Sequence, residues 1–362
     1  MKLSRLLPVL LLWLNLGALS AQDIHYTLFN MAPLRTNPAL TGAFEGTVRL
    51  GGIYRGQWFT VNGSGDIHTP SFYADAPIIR GFRDKDWVGV GLMFLQDNAG
   101  PFNLNTSIGG LSAAYHLALN KKGTSMLTIG GQYGQVQRGL DLSDNTPLAE
   151  INIPLSFGGQ EMNFSDPLLG GGGMGGSTTI EKSINYTDIS GGLLLRTELD
   201  KESSLELGVA ALHLNTPGAG LGAGGTGTTP NQGARDSDRR MTMIAHGEYR
   251  RLLDEKWSIS PTFFWQTTAG GGNEISLQAW ANRKVNSDFT LNFGLGWRAA
   301  DAAKILLGAD YKDVRAALSY DINLSSANTI TNYVGGFELA AYYIIKIYKE
   351  PDLTPKVLCP QF

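Results

Sequence analysis

Residues 288–298 read DFTLNFGLGWR, and polar and apolar side chains alternate along nearly the whole stretch. The apolar set is Phe289, Leu291, Phe293, Leu295 and Trp297, and the polar set is Asp288, Thr290, Asn292 and Arg298. A period of two places these sets on opposite faces of a β-strand, whereas a helix with its period of 3.6 would scatter them. A strand of about 10 residues with one apolar face is typical of membrane β-barrels.

Fourteen segments of the chain show this alternation. They lie near residues 45–58, 66–76, 86–96, 103–117, 124–137, 185–196, 203–213, 239–250, 257–267, 274–283, 288–298, 303–311, 313–323 and 336–348. An even number of strands suits a closed bacterial barrel whose two chain ends lie on the same side of the membrane. We therefore predict an all-β fold, a transmembrane antiparallel β-barrel of about 14 strands.

The lengths of the connections orient the predicted barrel. Connections after even-numbered strands are short and charged, as in LLDEK (252–256) and NRKVNS (282–287), whereas long ones, about 138–184 and 214–238, follow the fifth and seventh strands. Outer-membrane barrels have short periplasmic turns and longer extracellular loops. The pattern predicts a protein of the cell outer membrane, in contact with its lipid, with both termini in the periplasm.

Tryptophan residues mark the ends of several predicted strands. Trp87 and Trp257 begin strands, and Trp58 and Trp297 end them. Aromatic residues form girdles at the two membrane interfaces of such barrels. A soluble β-sandwich, the other all-β option, does not need tryptophan at these positions.

Residues 1–21 have the pattern of a signal peptide that is removed on secretion. Lys2 and Arg5 precede an apolar run at 6–14, and small residues near Ser20 and Ala21 offer a cleavage site. The chain has 29 basic and 32 acidic residues and no basic block, which argues against nucleic acid as a partner. Its single cysteine excludes an internal disulfide.

Two segments lie outside the predicted barrel, which spans residues 45–348. The first, residues 22–44, reads QDIHYTLFNMAPLRTNPALTGAF, and Pro33 and Pro38 keep it bent. Because it carries the apolar residues Phe29, Leu34 and Leu40, we predict that it packs as a plug in the periplasmic mouth of the barrel. The second, KEPDLTPKVLCPQF at residues 349–362, is a proline-rich tail that we expect in the periplasm.

No sequence motif indicates catalysis, a metal site or a cofactor. The five histidines are scattered without metal-ligand spacing, and no GxSxG nucleophile motif is present. We therefore predict a non-enzymatic protein. The charged residues that the alternation places on inner faces are expected to pair across the lumen, because buried charges are costly unless paired. They are Arg49, Arg55, Glu248, Arg315, Asp321 and Glu338. A lumen that binds a ligand or polypeptide is the alternative.

The two ends of the chain resemble those of the PorP/SprF family of the Bacteroidetes. The matching residues near the start are Gln22, Asp23, Tyr26, Asn30, Asn37, Pro38, Ala39 and Gly42. Those near the end are Ser319, Tyr320, Asp321, Asn323, Gly336, Phe337, Glu338, Tyr342, Cys359, Pro360 and Phe362. Gln361 departs from the pattern, since the family usually has arginine there. Between the two ends the resemblance is one of pattern only.

The resemblance implies an outer-membrane barrel of the type IX secretion system. It further implies that the protein supports the secretion or surface anchoring of a large partner, such as a gliding adhesin with a type B C-terminal domain, and associates with periplasmic parts of the machinery. The alternative is a transport channel similar to the FadL family. The glycine-rich stretch that precedes the NPA motif in that family is missing here. FadL chains also finish with the last strand, whereas this chain continues into a tail. A general porin would need a folded constriction loop.

We select candidate partner-binding residues in the N-terminal segment, on the inner faces and in the tail. They are Asn37, Pro38, Ala39, Arg49, Arg55, Arg315, Asp321, Glu338, Cys359, Pro360 and Phe362. The resemblance leaves two positions open for the tail, which either hangs in the periplasm or folds back into the lumen as a docking element. Cys359 is then either a small buried apolar group or a reactive thiol. The glycine-rich long connections are expected to be solvated surface loops that also contact the partner.

Overall fold

Fourteen of the strands in the computed structural model close into one antiparallel barrel, as the sequence predicts. The structure describes residues 24–57, 67–80, 85–99, 104–140, 155–157, 160–162, 183–219, 239–269, 272–326 and 328–347. Each strand of the barrel pairs with the strand before and after it, and β1 pairs with β16 to close the ring.

The bounds of the strands follow the alternating segments closely. They are β1 (Val48–Gln57), β2 (Ile67–Arg80), β3 (Trp87–Ala99), β4 (Leu104–Ala118), β5 (Ser125–Leu140), β6 (Leu155–Phe157), β7 (Gln160–Met162), β8 (Ser183–Glu198), β9 (Ser203–Leu212), β10 (Thr242–Leu252), β11 (Trp257–Thr268), β12 (Asn273–Lys284), β13 (Phe289–Arg298), β14 (Ala302–Tyr311), β15 (Val314–Asn323) and β16 (Val334–Ile345). β6 and β7 form a separate two-stranded sheet that the sequence did not predict.

Helical structure is short among the described residues. It comprises two 3₁₀ turns at Phe29–Met31 and Pro38–Leu40 and two single-turn helices, α1 (Pro33–Thr36) and α2 (Asn328–Thr331). In this part of the chain, no helix has the length and apolar character needed to cross a membrane.

The alternation of side chains in the sequence becomes an outer and an inner face of the barrel. On β13 and β14, Leu295 is 70% exposed and Leu307 is 47% exposed on the outer surface. Their neighbours Asn292, Lys304 and Leu306 are buried on the inner face. An apolar outer surface on a closed barrel satisfies the condition for lipid contact, because no strand edge is left without hydrogen bonds.

The two ends of the barrel differ in their connections. At one end, consecutive strands are joined by two to six residues, for example by residues 253–256 and 312–313. We call this the short-turn end. The opposite end, which we call the long-connection end, carries the connections from β5 to β8 and from β9 to β10. Much of these two connections, including their glycine-rich parts, lies outside the described residues.

Residues 24–43, which we call the N-terminal segment, lie inside the barrel. Leu28, Met31 and Leu34 are at most 2% exposed and pack with inner-face residues that include Ile53 and Leu306. Two further apolar clusters place Phe29 against β9, β10 and β11, and Ala39, Leu40 and Ala43 against Leu194 of β8. The apolar core of the molecule therefore lies within the lumen, between this segment and the wall.

A charged side chain on the outer face should destabilise the barrel only where lipid surrounds it. Leu307→Arg, in the middle of β14, is expected to cost about 2–4 kcal/mol of unfolding free energy, because an arginine at the membrane midplane loses its hydration. The measurement is urea unfolding of the protein folded into liposomes.

Leu253→Arg is the matched control for this substitution. Leu253 is as exposed as Leu307 but lies in a turn at the short-turn end, where water reaches it. We expect a change within about 0.5 kcal/mol. Equal losses in the two variants would contradict the membrane-spanning assignment of β14.

Candidate functional site in the barrel lumen

Asn37 fixes the N-terminal segment to the barrel wall. Its side-chain oxygen accepts a hydrogen bond from the Ala39 amide at 2.9 Å and so caps the 3₁₀ turn Pro38–Leu40. Its Nδ2 group donates to the backbone carbonyls of Leu193 and Val209 at 3.1 and 3.2 Å. Asn37 thus joins the segment to two adjacent strands, β8 and β9, and is fully buried.

Inward-facing glycines let this turn approach the wall. A Cβ atom at Gly130 of β5 would lie 2.4 Å from the Ala39 nitrogen and 2.5 Å from the Pro38 carbonyl carbon. A Cβ atom at Gly192 would lie 2.0 Å from the Asn37 side-chain oxygen. Because real Cβ atoms do not come this close to other atoms, both positions require glycine for the segment to sit where it does.

The end of the segment is held by Asp75 on β2. Arg49 donates to both carboxylate oxygens of Asp75 at 2.9 and 2.7 Å, in the bidentate geometry that gives strong ion pairs. The Gly42 amide donates to the same carboxylate at 2.7 Å, and Arg49 also reaches the Leu40 carbonyl at 3.3 Å. One buried carboxylate therefore ties the segment to β1 and β2.

Trp87, at the start of β3, does not belong to an aromatic girdle at the membrane interface, although its position in the sequence had predicted this. Its indole N–H donates to the Gly42 carbonyl at 3.0 Å, and its ring stacks on His116 with centroids 4.5 Å apart. His116 lies 2.8 Å from the Thr41 carbonyl, and Thr41 donates to Ser112 at 2.9 Å. Trp87 therefore faces the lumen, whereas Trp257 and Trp297 are exposed on the outside.

The beginning of the segment is held by Glu338 and Asp321. The amides of Thr27 and Leu28 donate to the two oxygens of Glu338 at 2.6 and 2.7 Å. The Thr27 hydroxyl donates to Asp321 at 2.8 Å, and its carbonyl accepts from Gln278 at 2.7 Å. Strands β12, β15 and β16 thus converge on two consecutive residues of the segment.

Arginines neutralise these two carboxylates. Arg55 forms an ion pair with Glu338, its register partner across β1 and β16. Arg298 pairs with Asp321 at 3.1 Å and with Glu274 at 3.2 Å. All five side chains are at most 9% exposed. The predicted pairing of inner-face charges is found, but the partners lie on the same or nearby strands, not across the lumen, because the segment occupies the space between the walls.

His25 lies beside this cluster, with its Nδ1 atom 3.3 Å from Glu274. Burial, together with the positive charges of Arg298, Arg55 and Lys304, lowers the pKa of His25 well below its usual value of 6.5. The imidazole is therefore neutral at neutral pH.

The segment runs along much of the barrel axis. Thr27 contacts the part of β16 that lies near the long-connection end, whereas Gly42 contacts Trp87 at the short-turn end. The sequence predicted that this segment lies in the mouth of the barrel. Its contacts show that it also extends into the half of the lumen nearer the long-connection end.

One part of the lumen at the short-turn end stays open. A cavity of about 220 Å³ lies below Asn30 and Met31 and is lined by strands β10 to β15. Arg315 is in its wall, paired with Asp310 at 2.5 and 2.8 Å. Arg315 is therefore remote from the cluster around Arg55.

The structure places the described candidate residues at four sites, and two of these sites bring three candidates together. Asn37, Pro38 and Ala39 lie against β5, β8 and β9, whereas Arg55, Asp321 and Glu338 form the cluster around Thr27, and Arg49 and Arg315 belong to separate ion pairs. Cys359, Pro360 and Phe362 lie outside the described residues.

Sequence reasoning missed Asp75, Thr27, Gln278 and Arg298. The inward alternation of β2 could have identified Asp75, whereas Thr27 gives no signal beyond its polarity. Within the described residues, no group of three or more His, Cys, Asp or Glu side chains is arranged to hold a metal ion.

Residues 18–343 match the family described as "Type IX secretion system membrane protein PorP/SprF". The search of curated proteins found no match.

Several solved structures are similar in shape, and their TM-scores are below 0.5. A FadL homologue from Pseudomonas aeruginosa has 13% identity and a TM-score of 0.47, with 85% of this chain and 92% of that chain covered. The toluene transporter TbuX from Ralstonia pickettii has 10% identity and a TM-score of 0.49, with 88% and 94% covered. The P. putida toluene transporter TodX has 14% identity and a TM-score of 0.49, with 87% and 94% covered.

Gly130→Ala should displace the N-terminal segment, because the added methyl group meets the backbone of Pro38 and Ala39. We expect a loss of about 1–3 kcal/mol in unfolding free energy and faster proteolysis between residues 24 and 43. Gly131→Ala, on the next residue of β5, is the control, because a Cβ atom there meets nothing within 4 Å. Equal stability of the two variants would show that the segment is not packed against β5.

Glu338→Gln should destabilise the barrel by about 3–5 kcal/mol, because it removes the carboxylate closest to the buried Arg55 and leaves Asp321 at 3.9 Å. Glu248→Gln makes the same change in the more exposed pair with Arg250, where we expect about 0–1 kcal/mol. The measurement is urea unfolding in detergent, with limited proteolysis to report release of Thr27 and Leu28. A Glu338→Gln protein as stable as Glu248→Gln would contradict the assigned role of this carboxylate.

Proposed function

The chain belongs to the PorP/SprF family of type IX secretion system membrane proteins, and on this premise we propose that it supports the secretion or surface anchoring of a large partner protein. The family match over residues 18–343 carries this proposal. The chain forms an outer-membrane barrel, and its role is non-enzymatic and passive: it holds a partner and performs no chemistry on it. A gliding adhesin with a type B C-terminal domain is the class of partner that we propose.

The occupied lumen supports anchoring in preference to free passage. The N-terminal segment is joined to the wall through Asn37, Asp75 and Glu338, and its apolar side chains form the core with the inner face. A partner that passed through this part of the lumen would first have to break buried ion pairs and expose that core. A partner held at either end of the barrel requires neither change.

We further propose that the short-turn end faces the periplasm. At this end the hydroxyl of Thr47, just before β1, accepts a hydrogen bond from the amide of Ile347, just after β16. The first strand therefore begins, and the last strand ends, at the short-turn end. Short, charged turns are typical of the periplasmic side of outer-membrane barrels. In this orientation the long connections face the cell exterior and offer the surface for a secreted partner, while the short-turn end faces periplasmic machinery.

The alternative is a channel for hydrophobic small molecules. It requires a path past the N-terminal segment, whereas anchoring does not. Fixing the segment to the wall therefore separates the two functions.

A disulfide between the segment and β4 provides that test. The hydroxyl oxygens of Thr41 and Ser112 are 2.9 Å apart, so Thr41→Cys with Ser112→Cys, in a Cys359→Ser background, places two sulfurs within bonding reach. The oxidising periplasm favours the bond, and mass spectrometry verifies it. The control is the single Thr41→Cys variant in the same background.

The readout is the amount of large secreted protein that remains on the cell surface and is captured with the tagged barrel in mild detergent. We expect deletion of the gene to release the partner into the medium. The locked variant should restore the attachment of the partner to the cell surface as well as the control variant does. Loss of restoration in the locked variant alone would favour passage through the lumen. Unchanged surface proteins in the deletion strain, with hydrophobic molecules bound to the purified barrel, would overturn the anchoring proposal.

A further inference from the structure

The cavity at the short-turn end has the features of a binding site. It is bounded above by Asn30 and Met31 of the N-terminal segment and on its sides by strands β10 to β15. On the other side of the lumen at this end, residues 40–43 pack against β1 to β4 and β8. The cavity is thus a partly open space that the segment leaves on one side of the barrel.

Two amide oxygens in this cavity lack a hydrogen-bond donor. They are the Oδ1 atoms of Asn292, which is 5% exposed, and of Asn30. Both residues line the cavity. A buried acceptor without a donor is unfavourable, so a ligand that brings N–H groups to these atoms would bind more tightly.

The charges of the lining narrow the class of ligand. Arg315 is paired with Asp310, and Arg250 is paired with Glu248 at 2.8 Å, so the lining carries no net charge. Trp280 adds an apolar surface. Neutral lining with both acceptors and an apolar surface suits a polypeptide segment of balanced charge more than an anion or a cation.

A segment of this kind lies in the same chain beside the cavity. The last described residue, Ile347, is at the short-turn end, and β16 neighbours β15, which supplies Arg315. Residues 348–362 read YKEPDLTPKVLCPQF, with two lysines balanced by one glutamate and one aspartate. Fifteen extended residues reach up to about 50 Å, which is ample for any point at this end of the barrel.

We propose that the end of this tail, residues 358–362, inserts into the cavity at the short-turn end. Backbone N–H groups of the extended tail donate to Asn292 and Asn30, and apolar tail residues such as Leu358 and Phe362 cover Trp280. The three prolines limit the conformations of the unbound tail, which reduces the ordering cost of binding. Tethering raises the local concentration of the tail to about the millimolar range, which favours the tail over a free peptide in competition for the cavity.

The single cysteine of the sequence, Cys359, provides a site-specific test. Ser258→Cys places a second thiol in the cavity lining on β11 with minimal change in size. Ser287→Cys is the control, because Ser287 is exposed in the turn between β12 and β13 at the same end of the barrel. β12 and β13 lie between β11 and β16 in the ring, so an undocked tail reaches position 287 at least as easily as position 258.

The full-length variants are oxidised mildly in isolated outer membranes, and the disulfide to Cys359 is quantified by mass spectrometry of the linked peptides. We expect the Ser258→Cys yield to exceed the Ser287→Cys yield by about tenfold or more. Asn292→Leu, added to Ser258→Cys, should lower the yield because it removes the acceptor while keeping a similar side-chain volume. Heat-modifiable migration on gels shows that each variant is folded, and Ser260→Cys on the same strand offers a second position in the cavity.

Three results would overturn the proposal. A yield at position 287 equal to or above that at position 258 would indicate a tail that moves freely at the short-turn end. The absence of a link at positions 258 and 260 in folded protein would place the tail elsewhere. A link from position 258 to another polypeptide would show that a partner occupies the cavity. None of these results bears on whether the barrel anchors a secreted protein, so the two proposals fail separately.

Discussion

Closure of the strand ladder is the constraint from which the rest of the structure follows. In a membrane, an unpaired backbone N–H or C=O group has no water to bond to, so the first and last strands must pair. β1 and β16 do so over ten residue pairs, from Val48 with Ile345 to Gln57 with Gly336. A closed ring of fourteen strands then encloses a lumen, and the chain has to fill that space or leave it to water.

The N-terminal segment fills much of this space, and the wall is adapted to it. Glycines at positions 130 and 192 allow its backbone to approach, while Glu338 and Asp75 accept its amide groups. Each carboxylate has an arginine on an adjacent strand, so the segment binds to charge that the wall has already neutralised. Such pairing is the condition under which charged groups can be buried.

The sequence predicts the wall of this molecule much better than its interior. All fourteen barrel strands were identified from alternation, because lipid on one face and polar groups on the other impose a strict period. The interior follows no such rule: Ile53 and Leu306 face inward because they pack on the segment, and Trp87 faces inward because it donates to Gly42. The candidates Arg49, Arg55, Asp321 and Glu338 could be identified as inner-face charges, but Thr27 becomes a binding residue only through the register of β12, β15 and β16.

The position of the segment in the chain bears on how the barrel works. It precedes β1 directly, and it contacts strands from β1 to β16, so its contacts and the closing of the ring depend on the same strands. Without it, Leu95, Leu306 and Trp280 would face an open lumen, and the buried carboxylates would lose their amide donors. Removing the segment to admit a passing chain would therefore disrupt the core of the molecule as well as its charge pairs. A barrel built in this way is better suited to hold a partner at its ends than to open its centre.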